Sequence, residues 1–140
     1  YELQLVSQLP VKAKKTVVKE LFYNYLFIHS GHEFLLQPRG AANNIWKNMY
    51  EFPLIESDHL LSMEEILNHN LLKDMGPFTI NPTPVDLTHI LSHRKINVRF
   101  YRIKPDTMTQ LNAESILCTP DQLPHYPIPR IIERFLETQF

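Results

Sequence analysis

Apolar and polar residues alternate through positions 85–103, VDLTHILSHRKINVRFYRI. In the second half Ile96, Val98 and Phe100 fall on one side, and Lys95, Asn97, Arg99 and Tyr101 on the other. In the first half Val85, Leu87, His89 and Leu91 share a side, and Asp86, Thr88, Ile90 and Ser92 share the opposite one. Period-two alternation predicts two half-buried strands meeting at a polar tip, Leu91-Ser92-His93-Arg94.

The other runs are arranged around this hairpin. Residues 16–30 are apolar and β-branched on both sides, which predicts a central strand. Gly31 turns the chain, and residues 33–37 return as the second strand of a hairpin whose tip, His29-Ser30-Gly31-His32, carries two histidines. No third metal ligand accompanies them, so solvated turn histidines are expected. Residues 38–48 read as a loop holding the chain's one tryptophan, Trp46.

Helical spacing of Ile66, Leu67, Leu71 and Leu72 predicts one helix over residues 63–72, capped by Ser57 or Ser62. Gly76-Pro77 ends it. Two prolines make residues 78–84 an edge or irregular segment. A further strand is expected in 109–117. Four prolines in 119–129 predict a rigid connector with at most one helical turn. Pro129 is placed as the first residue of a helix over 130–138, with Ile131, Ile132, Phe135 and Leu136 as its buried stripe. The order is that of one α+β domain.

Composition narrows the class. The 140 residues are 44% hydrophobic and 21% charged, as in an ordinary globular domain. Net charge is −1 and the isoelectric point about 6.7, less basic than a stand-alone nucleic-acid binder, so any such binding calls for a second domain. A single cysteine, Cys118, excludes an internal disulfide and a cysteine-built metal cluster, and is expected to be a buried structural thiol. No signal peptide or membrane-length apolar run is present, and an intracellular setting, cytoplasmic or nucleoid-associated, is expected. Residues 1–15, with Lys12, Lys14 and Lys15, read as a basic linker. The start at Tyr1 is that expected of a piece cut from a larger protein.

The tip is the one place where chemistry gathers. It offers the Ser92 hydroxyl, the His93 imidazole and the Arg94 guanidinium, followed by Lys95. Such groups on a rigid hairpin suit nucleic acid.

Two blocks add to this: Phe34-Leu-Leu-Gln-Pro-Arg-Gly40 with Ile45-Trp-Lys-Asn-Met-Tyr-Glu-Phe-Pro53, and Thr88-His-Ile-Leu-Ser-His-Arg94. Together with Pro10-Val-Lys and Pro127-Ile-Pro-Arg-Ile-Ile-Glu-Arg-Phe-Leu136, they resemble the C-terminal domain of A/G-specific adenine DNA glycosylases over nearly the whole chain. The resemblance implies a Nudix-like mixed β-sheet flanked by helices, spanning residues 16–140. It implies recognition of 8-oxoguanine opposite adenine in duplex DNA, without catalysis by this domain. A missing N-terminal domain would remove the adenine and carry a 4Fe–4S cluster; no cofactor is expected in this chain. Leu91, Ser92 and His93 take the places of the family's Phe-Ser-His loop. Ser92 inherits the lesion-addressing role, and Leu91 stands at the wedge position. Lys47 and Asn48 replace glycines of the family pattern, and Pro38-Arg39 stands where Arg-Pro is usual.

The chemistry agrees with that role. In 8-oxoguanine N7 bears a hydrogen, which a hydroxyl accepts, and C8 bears an oxygen, to which a backbone N–H donates. Arg94 and Lys95 suit phosphates, which position a duplex without reading it. An active Nudix pyrophosphatase is disfavoured. Glu64 and Glu65 point about 100° apart around a helix, and Asn68, His69 and Asn70 occupy the later positions where metal-binding carboxylates would be needed. A Nudix-fold protein-interaction module without lesion recognition is the other alternative. A Ser92–His89–Asp86 catalytic set is excluded by strand alternation, which puts His89 on the face opposite the other two.

Overall fold

The computed structural model describes residues 18–40 and 45–140. The expected linker, residues 1–15, lies outside them. Two long strands form the spine. β1 (Lys19–Ser30) runs parallel to β7 (Arg94–Pro105), in register from Lys19↔Arg94 to Ile28↔Ile103. Each has two short partners in succession on its other edge. β1 pairs with β4 (Leu54–Ser57) along its first half and with β2 (Glu33–Pro38) at its end. β7 pairs first with β6 (Val85–Leu91), then with β5 (Phe78–Ile80). β3 (Tyr50–Glu51) and β8 (Ile116–Cys118) complete the mixed sheet beside β2.

Alternation sorts side chains onto two cores. Tyr23, Tyr25, Phe27, Ile96, Val98 and Phe100 lie under α3 (Arg130–Glu137). Its Phe135 stacks on Phe100 at 4.3 Å between ring centroids. Such a pair contributes about 0.5–1.5 kcal/mol beyond area burial. The predicted stripe Ile131, Ile132, Phe135 and Leu136 is buried. Pro129 is the residue before the helix rather than its first. The opposite core joins Leu26, Ile28, Tyr101 and Ile103 to Ile66 and Leu72. Residues 23–28 are thus buried on both faces, as the sequence of a central strand requires. So is Tyr101, which the alternation assigned to solvent: the loop before the first helix covers it, and its hydroxyl donates to Leu61 O at 2.6 Å.

The predicted helix over 63–72 is two helices, α1 (Met63–Leu67) and α2 (Asn70–Lys73). Ser62 caps α1: its Oγ accepts from Glu65 N, and Glu65 Oε1 accepts from Ser62 N. Ser57 is used elsewhere, accepting from buried Asn24 and donating to His59 O. The break comes where His69 Nδ1 accepts from Leu71 N at 3.2 Å, so that a side chain restarts the helix. The restart buries Leu72 and leaves Leu67 exposed. Residues 109–115 are not strand either. Asn112 Oδ1 accepts from Glu114 N and Ser115 N, a local turn that replaces sheet pairing. The proline-rich connector holds a six-residue 3₁₀ helix (Pro120–His125), longer than the single turn expected. No helix among the described residues is long and apolar enough to cross a membrane.

His29 is not at the hairpin tip. It lies inside β1 with its ring stacked on Phe27 at 4.6 Å, while Gly31, at φ +61°, turns the chain as expected. Cys118 is buried, as expected.

Candidate nucleic-acid interface

The β6–β7 hairpin pairs without interruption from Val85↔Phe100 to Leu91↔Arg94, leaving Ser92 and His93 as the turn. Its inner face, Val85 and Leu87, packs on the core beneath α3. His89 meets the Trp46 ring at 5.7 Å. Its outer face is fixed by Arg99, whose Nε and Nη2 donate to the two oxygens of Asp86 at 2.8 and 2.9 Å while Nη1 reaches Leu61 O. The hydrogen bond to Asp86 raises the Arg99 guanidinium above its ordinary range, against partial burial, which pulls it down.

At the far end the chain arriving at β1 braces the tip. Lys19 N donates to His93 O at 3.0 Å. The Asn97 amide donates to Glu20 Oε1 and Leu21 O. Neither Ser92 nor His93 has positive φ. The turn is therefore not the mirror-image type usual in two-residue hairpins.

The structure brings all five predicted residues together. Ser92 and His93 are exposed, Leu91 is 37% exposed, and Arg94 and Lys95 are half-buried. Among the described residues the side chains of Ser92, His93, Arg94 and Lys95 have no hydrogen-bond or ion-pair partner. A rigid base thus presents a hydroxyl, an imidazole and two cations with their polar atoms uncommitted. Lys19 stands beside Arg94 across the parallel register and adds a third cation. Lys19, Arg94 and Glu56 share a shallow polar cleft with Tyr23 and Arg39.

Alternation also contained a residue that motif reading passed over. Ile90 sits on the solvent face with Asp86 and Thr88, opposite Lys95, and is 73% exposed. An isoleucine out of phase with its strand was the visible signal.

The blocks at 34–40 and 45–53 build the scaffold below the tip. Arg39 and Glu51 form a buried ion pair at 2.8 Å, with side chains 2% and 5% exposed. Tyr25 Oη donates to Glu51, Arg39 Nη2 donates to Tyr23 Oη, and Arg39 Nε donates to Ile45 O. Burial raises the Glu51 carboxyl above its ordinary value, against the pull of Arg39 and the Tyr25 hydroxyl. Trp46 and Asn48 adopt φ of +56° and +64°. Asparagine tolerates that left-handed backbone, and glycine adopts it freely, which accounts for Asn48 at a position where glycine is also suitable.

The fold is that of known proteins. A family model described as NUDIX domain matches residues 24–138. The chain belongs to the Nudix family. Solved structures agree on the fold of this Nudix domain. The C-terminal domain of mouse MUTYH, in its complex with human PCNA, superposes with a TM-score of 0.60 at 16% identity, covering 86% of this chain and 90% of that one. The MutT protein of Methanosarcina mazei gives 0.57 at 16%, over 86% and 93%. The E. coli ORF135 protein gives 0.55 at 16%, over 87% and 92%. No curated protein sequence matches significantly.

Among the described residues of this Nudix domain, no three His, Cys, Asp or Glu side chains are grouped to hold a metal ion. Glu65 is committed to its helix cap and to His59 Nε2, 2.8 Å away.

Proposed function

We propose that this Nudix domain is the lesion-reading part of an adenine DNA glycosylase, recognising 8-oxoguanine opposite adenine in duplex DNA and leaving base removal to a catalytic domain upstream. The observation that carries the reading is the exposed turn Leu91-Ser92-His93 beside a half-buried Arg94, with the polar side chains unpartnered, on a hairpin braced at both faces. The motif resemblance to glycosylase C-terminal domains supports it. In this reading Ser92 Oγ accepts from the N7 hydrogen of the lesion, and a tip N–H donates to its C8 oxygen. His93 orients the hydroxyl or meets phosphate, Leu91 wedges against the base step, and Arg94 and Lys95 contact phosphates. The iron–sulfur cluster of the parent enzyme belongs to the upstream domain.

A second reading is a protein-interaction module, supported by Ile90, a large apolar side chain open on the outer face of the hairpin. One experiment separates the two. Adenine removal from 8-oxoguanine:adenine and guanine:adenine pairs is compared in the full enzyme with the tip intact and with residues 91–94 replaced by an Asn-Gly turn. Loss of lesion preference with retained removal from guanine:adenine supports the reader. Unchanged preference supports the interaction module.

A further inference from the structure

At the other end of β7 from the tip, a cationic pocket has no part in lesion reading. Arg102 and Lys104 project from β7 on the face that carries α3 farther back. His29 stands beside them on β1, Thr79 and Asn81 on β5 and its extension, and Gln139 closes the pocket after α3. No carboxylate among the described residues lines it; Asp106 lines the neighbouring hollow, which shares Thr79 and Lys104.

One donor here is unanswered. Arg102 Nη2 donates to Thr83 O at 2.6 Å, which fixes the guanidinium, yet its Nε is buried with no hydrogen-bond partner. Buried donors are nearly always paired, so an orphan on a cation calls for an acceptor that the chain does not supply. Of the Asn81 side chain, only Oδ1 is used, accepting from Thr83 N. The imidazole of His29 is held below its ordinary value by burial and by Lys104 and Arg102, so the pocket is short of negative charge.

We propose that this pocket binds a phosphate oxyanion, with Arg102 and Lys104 as its charge partners and His29 and Asn81 as further donors. A fixed guanidinium beside a mobile ammonium suits a tetrahedral oxyanion. The charge partners Arg102 and Lys104 lie eight and ten residues along β7 from Arg94, on the order of 26–33 Å at about 3.3 Å per residue. It is therefore a separate site from the tip, and its ligand is either a phosphodiester of DNA reached a helical turn away or a small phosphorylated molecule.

The test is NMR of the 140-residue chain titrated with inorganic phosphate, against chloride at equal ionic strength. Saturable shifts of the His29 ring protons and of the amides of residues 79–81 and 102–104 are expected, with the His29 pKa rising as phosphate offsets the two cations. Arg102→Gln and Lys104→Gln should each weaken binding by about tenfold, the contribution of one charge-assisted hydrogen bond. Lys73→Gln, at an exposed cation of α2 that lines neither hollow, should leave it unchanged. Lys104 is exposed, so its variant keeps the fold even if Arg102→Gln does not. A second arm uses an undamaged duplex in phosphate-free buffer. If the same signals move, the ligand is the DNA backbone; if only inorganic phosphate moves them, it is a small phosphorylated molecule. No saturable shift with either, or shifts indifferent to Lys104→Gln, overturns the proposal.

Discussion

The backbone N–H of Lys19 donates to the carbonyl of His93 at 3.0 Å, tying the first residue of β1 to the turn that ends β6. The two are 74 positions apart, and the parallel register that begins at Lys19↔Arg94 holds them together. The tip is therefore stiffened from below by its own strands and from the side by the incoming chain. Lys19→Pro removes the donor while keeping an extended backbone, and should cost about 1 kcal/mol. Amide exchange of residues 91–94 should accelerate, whereas Lys19→Ala, which retains the N–H, should leave it unchanged. Equal exchange in both variants would mean that the tip needs no brace.

The Arg39–Glu51 pair predicts a large stability effect far from the tip. Removing one partner leaves the other charge buried among Tyr23, Tyr25 and Ile45. Arg39→Met and Glu51→Leu should each cost about 3–5 kcal/mol in urea unfolding. The double variant should cost clearly less than the sum, because each single change already breaks the ion pair that the two side chains share. Additive losses would show that the two side chains are stabilised by separate neighbours.

Burial also sets the reactivity of Cys118. Its side chain is inaccessible, and desolvation, aided by Asp121, pushes the thiol up to about 11. At pH 8 the native chain should resist iodoacetamide, and the urea-unfolded chain should take one equivalent. Rapid labelling of the native chain would place Cys118 at an opening not seen in this fold.

His59 gives a pH dependence of known sign. Hydrogen bonds to Asp58 and then Glu65 raise its imidazole above the ordinary 6.5. A raised folded-state value favours the protonated form, so its stabilisation is complete below 6.5 and lost as pH rises through the raised value. Because the group is exposed the effect is small. His59→Ala should flatten the stability profile just above 6.5 and leave it unchanged at higher pH. A profile that His59→Ala leaves equally steep would assign the slope to other groups.

Legibility followed the range of the interactions. The β6–β7 hairpin was readable because its strands are neighbours in sequence and one face is buried, so period two is written directly into residues 85–100. The same rule misassigned Tyr101, because the loop covering it comes from residues 58–62, forty positions earlier, and no local pattern announces it. The break between α1 and α2 was hidden for a different reason. Ile66, Leu67, Leu71 and Leu72 keep helical spacing across it, and what ends α1 is a side chain, His69, competing for a backbone N–H. At the site, residue types and position were visible. The bracing amide of Lys19 and the Arg39–Glu51–Tyr25 network were not, since they join segments with no periodic relation.

The last prediction concerns discrimination by a full-length glycosylase carrying this domain. In the proposed reading Ser92 offers one hydroxyl, exposed and unpartnered here, to a lesion edge that loses water on binding. A net hydrogen bond of that kind contributes roughly 0.5–1.5 kcal/mol. Ser92→Ala should therefore lower the preference for 8-oxoguanine:adenine over guanine:adenine by about tenfold or less. The tip N–H remains and keeps part of the signal. Adding His93→Ala removes the group that orients the hydroxyl, so the double variant should lose more than Ser92→Ala alone. Arg94→Ala is the control. A phosphate contact carries no base information, so its loss should weaken both pairs about equally and reduce the salt dependence. Leu91→Ala tests the wedge and should slow removal from both mispairs, since unstacking precedes recognition whichever purine stands opposite. Binding and single-turnover adenine removal measure all four. If the Ser92/His93 double variant keeps full lesion preference while Arg94→Ala still weakens binding, the hairpin holds DNA by its backbone alone. The lesion must then be read from another surface of the domain.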